Sequence, residues 1–180
     1  MNKLLLIFGL LIFLNCTLIA QDRTWQTYTP RNGSWSILAP GVMRPDQEAL
    51  KAKSRQGSFT YNDFNGFFAV IYKDYSKINF LFGKSGHFTK QRDIVIKANK
   101  GKLIKDEEFT NGNISGREVH MQMPDNRVIP RESSIKLQHR VQRFRMFFVG
   151  SRFYIILAVL PETDVNLPEI TQYLNSFTLK

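Results

Sequence analysis

Short stretches of alternating apolar and polar residues, parted by turn dipeptides, run along most of this chain. Asn32-Gly33, Asn65-Gly66 and Asn111-Gly112 offer the positive φ angles of a type I′ turn, and Gly150-Ser151 suits type II′. Such turns join antiparallel neighbours, so the pattern predicts hairpins. "SFTYNDF" and "FFAVIYKDY" flank the second turn, and "LIKDEEF" and "ISGREVHMQM" flank the third. Residues from about Ile135 to Val149, with Phe153 to Leu160, make a further pair. "SWSILAP" is a short strand stopped by Pro40. Helical spacing is confined to two places. "SGHFTKQRDIVIKANKGK" offers Ser85 as N-cap, ends near Gly101, and aligns Phe88, Val95 and Ala98 on one thin stripe. "LPEITQYLNSF" has Pro168 at a helix start and Leu167, Ile170, Leu174 and Phe177 at helical intervals.

The most apolar hairpin, "RFRMFFVGSRFYIILAV", carries three arginines. With Gly150-Ser151 as the turn, Val149 pairs with Arg152, Phe147 with Tyr154, Arg145 with Ile156 and Arg143 with Ala158. One face then bears Phe144, Met146, Phe148, Phe153, Ile155, Leu157 and Val159 and must be core. The other bears Arg143, Arg145, Phe147, Val149, Arg152, Tyr154, Ile156 and Ala158. The expectation is a mixed basic and aromatic surface built on Arg143, Arg145, Phe147, Arg152 and Tyr154, joined by Arg127, Arg131 and Arg140 from the adjoining segment. Guanidinium groups there would make forked hydrogen bonds to an acidic protein or an anionic envelope component. The competing arrangement has a helix over that face, with arginine stems snorkelling past its edge. Upstream, Ile135, Leu137, His139 and Val141 have the opposite phase to Phe144, Met146 and Phe148, which predicts a β-bulge or strand break near Gln142-Arg143.

Composition narrows the setting. The length of 180 residues supports one domain with its own core. Residues 1–20 have the parts of a secretion signal: Lys3, the apolar run "LLLIFGLLIFL", and Ala20 before the cut. Residues 21–180 are then a single α+β domain, periplasmic or extracellular. A second possibility acylates Cys16 in "FLNC" to give a lipoprotein, although the apolar "TLIA" that follows reads as more signal. An uncleaved anchor would need about 20 apolar residues, and this run is shorter and broken by Asn15. Cleavage removes the only cysteine, so the exported chain needs no disulfide and has no thiol to oxidise. It also lowers the formal charge of +10 by one. A basic balance attracts polyanions or acidic partners, or simply keeps the chain soluble. Export removes nucleic acid from the field of partners, and the mature chain contains no transmembrane run.

Candidate chemistry is sparse. "FGKSG" (82–86) imitates the end of a phosphate-binding loop, but Ile78 stands where that motif needs its first glycine. His87, His120 and His139 lack metal-ligand spacing. The carboxylates of "KDEEF" alternate across a strand and fit a solvated edge. Asn32 and Asn113 match the glycosylation acceptor pattern yet serve equally as turn residues. The two-proline stretch Pro124–Ser134 is the longest irregular segment. No cofactor is implied. These features favour a non-enzymatic binding or assembly module of the bacterial cell envelope. The alternative is a hydrolytic enzyme whose site assembles from scattered residues.

Four segments together resemble the exported PsbP-like proteins: "WQTYTPRNGSWSILAPG", "GREVHMQM", "FFVGSRFYIILAV" and "YLNSFTL". The resemblance spans Trp25 to Leu179. It implies an antiparallel sheet of about six or seven strands, the number the turn signals also support, flanked by helices as a sandwich. It also implies binding roles, since members of that fold serve as extrinsic photosystem subunits and as Ran-binding proteins.

Overall fold

The computed structural model describes residues 24–31, 33–51, 53–63, 65–75, 83–124 and 139–180. The signal segment, Arg127, Arg131 and the upstream run Ile135–Leu137 lie outside these.

In chain order the elements are β1 (Gln26–Tyr28), β2 (Trp35–Ala39), β3 (Arg44–Pro45), β4 (Gln56–Asn62), β5 (Phe67–Asp74), α1 (Gly83–Ala98), β6 (Lys102–Asn111), β7 (Ile114–Met123), β8 (Arg140–Val149), β9 (Arg152–Pro161), α2 (Pro168–Asn175) and β10 (Thr178–Leu179). Seven strands form one sheet in the order β3-β4-β5-β9-β8-β7-β6, and β1-β2-β10 form a second, smaller one. Every pairing is antiparallel. The fold is therefore α+β with an antiparallel sheet flanked by helices, as the sequence pattern and the resemblance both imply.

The β8–β9 register is the one the turn predicts, from Val149↔Arg152 through Arg143↔Ala158. Gly150 takes φ 58°, which suits a glycine-first two-residue turn. The β6–β7 turn shifts by one position: Asn111 pairs with Ile114, so Gly112-Asn113 is the loop and Gly112 holds the positive φ. Asn65-Gly66 is not a type I′ turn. Asn62 pairs with Phe67, and the Asp63 carboxylate accepts the N–H groups of Asn65 and Gly66 at 2.9 and 2.6 Å. A side-chain acceptor thus closes a longer loop than the dipeptide suggests. The bulge expected near Gln142-Arg143 is absent too. β8 pairs without a shift on both sides, and the only shift along its β7 neighbour's ladders falls at Leu103/Lys105 of β6.

α1 opens at Gly83, two residues before Ser85, so Ser85 is no N-cap. It ends with Lys100 at φ 50° and the Gly101 N–H donating to Ile96 O at 2.9 Å, a Schellman-type closure with lysine in the left-handed seat. Pro168 starts α2 as expected.

Both faces of the large sheet carry a core, the one under α1 only in part. Phe144, Met146, Phe148, Phe153 and Leu157 meet Phe88 of α1, with Val95, Ile96 and Ile155 at the margin. Phe147, Tyr154, Ile156 and Ala158 meet Trp35 and Ile37 of the small sheet and Ile170, Tyr173 and Leu174 of α2. The second is the deeper core. Tyr173, missed by the helical spacing, is wholly enclosed and donates its hydroxyl to Ala69 O at 3.0 Å. Among the described residues no helix is long and apolar enough to cross a membrane.

Candidate functional site

The face that carries the arginines is an interior, and this corrects the expected solvent-facing patch. Arg143 and Arg145 are 8% and 7% exposed, and Phe147 and Tyr154 are buried with them. Two covers cause this, the small sheet and α2, because the apolar members of the face demand cover more strongly than the arginines resist it. The charges are met from inside. Glu118 of β7, itself 3% exposed, lies directly across from Arg145 in the strand register. Arg145 Nε donates to Glu118 Oε2 at 2.6 Å and Arg143 Nε to Oε1 at 2.7 Å, with His120 Nε2 3.0 Å from Oε1. The outer nitrogens reach α2. Arg143 Nη1 donates to Thr171 Oγ1 at 2.9 Å, and Arg145 Nη1 donates to Leu174 O at 3.1 Å and Asn175 Oδ1 at 2.7 Å. Leu174 O is one of the carbonyls a helix leaves unpaired at its C-terminus, so Arg145 caps α2 and complements its dipole. The Phe109 ring stacks under the Arg145 guanidinium at 4.6 Å. Burial alone would raise the Glu118 carboxyl pKa; hydrogen bonds from His120, Arg145 and Arg143 outweigh it and hold the group well below the carboxylate range.

Arg152 and Arg140 go elsewhere. Arg140 falls on the α1 side of the sheet, opposite to the face it was grouped with. Arg152 sits at the far end of β9, cross-strand from Asp74. It grips that carboxylate with Nε at 2.6 Å and Nη2 at 2.9 Å, and lies 4.7 Å over the Tyr72 ring. The hydrogen bonds it donates to Asp74 raise its pKa further, so it is a permanent cation.

Arg152 also lines a cleft of about 1020 Å³. The floor is aromatic: Tyr28, Phe59 and Tyr72, with Phe59 5.8 Å from Tyr28 and 6.3 Å from Tyr72 between ring centroids. The walls come from residues 29–31 after β1, Pro45, and residues 49–51 and 53–55. Five basic side chains line it, Arg31, Lys51, Lys53, Arg55 and Arg152, against the single carboxylate of Asp74. Asp74 is taken by Arg152 and Lys51 pairs with Glu48 at 2.5 Å. Arg31, Lys53 and Arg55 are exposed and make no ion pair among the described residues. Sequence reasoning missed this site, although "KAKSR" (51–55), three bases in five residues without an acid, was a visible signal.

The remaining candidates stay apart. His87 packs edge-on to Tyr75 and Phe153 at 4.7 and 4.9 Å, His120 joins Glu118, and His139 is exposed. Asp106 is held between Arg92 at 2.5 Å and Arg117 at 2.8 Å, while Glu108 is in solvent. β6 is an edge strand as expected, but Asp106 is turned inward from it. Among the described residues no three His, Cys, Asp or Glu side chains are grouped to hold a metal ion.

This architecture is PsbP-like. Cyanobacterial PsbP (CyanoP) from Synechocystis superposes with a TM-score of 0.57 at 10% identity, covering 88% of this chain and 94% of that one. The Saccharomyces cerevisiae Ran-binding protein Mog1p superposes with a TM-score of 0.51 at 10% identity, covering 87% and 96%. A Pseudomonas aeruginosa protein of unknown function gives 0.50 at 11%, covering 87% and 97%. No protein-family profile matches the sequence, and no curated protein matches it. Similarity at this identity establishes the shared fold.

Proposed function

We propose that this chain is an exported, non-enzymatic binding module of the bacterial cell envelope, and that its basic-aromatic cleft receives an acidic segment of a partner protein. The observation that carries the reading is the trio Arg31, Lys53 and Arg55, which make no ion pair among the described residues, above the Tyr28–Phe59–Tyr72 floor. Aromatic faces give an extended segment apolar area and ring contacts, while the bases steer and orient its carboxylates. At about 1020 Å³ the cleft has room for several residues, more than one small anion needs. The titratable groups elsewhere support binding over acid–base work. Asp74, Asp106 and Glu118 are each engaged by arginine as counter-ions. Mog1p, named for binding Ran, supports the idea that this fold can serve protein recognition. Export rests on the sequence of residues 1–20, and a mature chain without cysteine is compatible with it.

The test is fluorescence anisotropy with a labelled Asp/Glu-rich peptide containing one aromatic residue. Binding should weaken steeply as salt rises, since exposed charges are screened over about 8 Å at physiological ionic strength. Lys53→Glu with Arg55→Glu should lose most of the affinity while thermal unfolding stays put, both side chains being exposed. Undiminished binding by that double variant would remove the cleft from the reading. Selective capture of anionic lipid vesicles in place of the peptide would replace the protein partner with a membrane surface.

A further inference from the structure

The face of the large sheet that meets α1 is only half covered. Phe88 plugs one end, against Phe148 and Phe153. Further along, α1 leans toward β7, and its last turns contribute Val95 and Asn99 as one wall of a groove of about 380 Å³. The floor is the β5–β9 pair. Phe67 and Val159 face each other at one end, and Ile71 and Ile155 at the other, all four only half-buried. These rows lie four residues apart, so the apolar floor is ~13 Å long at about 3.3 Å per residue.

One end of this trough is polar. Arg140 and Gln142, neighbours on the same face of β8, close it beside Met123. The Arg140 guanidinium is poorly satisfied. Its Nη2 makes two long contacts, 3.4 Å to Val159 O and 3.5 Å to Asn65 O, and its Nε is buried without any hydrogen-bond partner. No carboxylate is paired with it in the described structure, unlike Arg143, Arg145 and Arg152. A buried guanidinium donor left unmet is costly, and it is a donor set that suits a carboxylate. The Asn99 amide, beside the groove, donates to Val95 O at 2.8 Å.

We propose that this groove is a second binding site, for an apolar carboxylate: a medium-chain acyl tail along the Phe67–Ile71 and Val159–Ile155 rows, with its head group on Arg140. Charge complementarity fixes the orientation. The tail removes apolar strand surface from water, and the carboxylate supplies the charged acceptor that the Arg140 guanidinium lacks among the described residues. The volume sits at the lower end of small-molecule sites, which favours a single short chain over a folded or branched lipid. The assignment stands apart from the cleft around Tyr72, which lies on the other face of the sheet.

The probe is octanoate, kept below its micelle concentration, titrated into the purified protein and followed by methyl-resolved NMR and calorimetry. Saturable one-to-one binding is expected, with shifts at the methyls of Val95, Met123, Ile155 and Val159. 1-Octanol and acetate should each bind at least about tenfold more weakly, the order expected for loss of a charged hydrogen bond or of most of the buried apolar area. Arg140→Gln should reduce octanoate affinity about tenfold while leaving octanol binding unchanged. Equal binding of octanol and octanoate would overturn the proposal, as would undiminished octanoate binding by Arg140→Gln. Shifts confined to the cleft residues would overturn it as well. Should the variant fail to fold, the wild-type methyl shifts and the octanol comparison decide the matter alone.

Discussion

Glu118→Gln should be among the most damaging single changes in this protein. The substitution keeps the volume and removes one charge, leaving Arg143 and Arg145 as two buried cations without a counter-ion. Breaking a buried pair from one side costs about 3–5 kcal/mol, against a total stability of about 5–15 kcal/mol for a domain. The loss also reaches α2, because the same guanidiniums hold Thr171, Leu174 O and Asn175. Urea unfolding followed by the fluorescence of the buried Trp35 would measure it. The pH dependence adds a signature. The Glu118 carboxyl is held below its ordinary value of 4.5 in the folded state. Its contribution is therefore complete above that value and is lost as pH falls through the lower folded value. The stability gap between wild type and Glu118→Gln should narrow on acidification below pH 4.5 and stay constant above it. Removing all three charges together, with Glu118→Leu, Arg143→Met and Arg145→Met, should cost less than Glu118→Gln alone, since no stranded charge is left. A loss below about 1 kcal/mol for Glu118→Gln would refute the reasoning, for it would mean that water reaches the cluster.

Three other outcomes are expected. Phe153→Ala should cost about 3–5 kcal/mol by denaturant unfolding, the usual large-aromatic deletion, because Phe148, Phe88 and Tyr75 all pack on that ring. Gly116→Ala should destabilise by about 1–3 kcal/mol or more, since a Cβ there would lie 2.0 Å from Met146 O and force β7 from β8; an unchanged melting temperature would contradict that strand spacing. Tyr173→Phe should cost roughly 1 kcal/mol for its buried hydroxyl bond and leave the fluorescence spectrum of the folded state unaltered.

The strand register of the β8–β9 hairpin was legible to the residue, because an apolar alternation and a glycine-serine turn admit one solution. The sign of each face was not. Phe144 to Phe148 announce a core, but a face of arginines mixed with Phe147, Tyr154 and Ile156 reads as surface until its cover is known. That cover is remote in sequence: Trp35, Ile37 and Tyr173 lie far from β8. One clue was local. Carrying the register one strand further, onto "GREVHMQM", sets Glu118 opposite Arg145 and so offers a buried counter-ion. The Asn65-Gly66 turn failed for a similar reason, since Asp63 competes for the same backbone groups. Arg140 was misplaced because its phase was read from a segment rather than from its own strand.

The burial of those arginines changes what the basic balance means. A formal +10 invites the idea that charge and function coincide wherever arginine clusters. Here Arg143 and Arg145 share Glu118, Arg92 and Arg117 share Asp106, and Arg152 holds Asp74. These arginines tie β5 through β9 to one another and to α1 and α2, and their guanidinium groups are committed to those bonds. Two groups of the remaining exposed charge differ in their setting. Lys84, Lys90, Lys97 and Lys100 are spread along an exposed helix and its end, where no aromatic floor accompanies them. Arg31, Lys53 and Arg55 converge on one concavity over three aromatic rings. Screening weakens scattered exposed charges, whereas a concave wall of low dielectric concentrates their field. Convergence, and not the count of bases, is therefore what singles out the cleft.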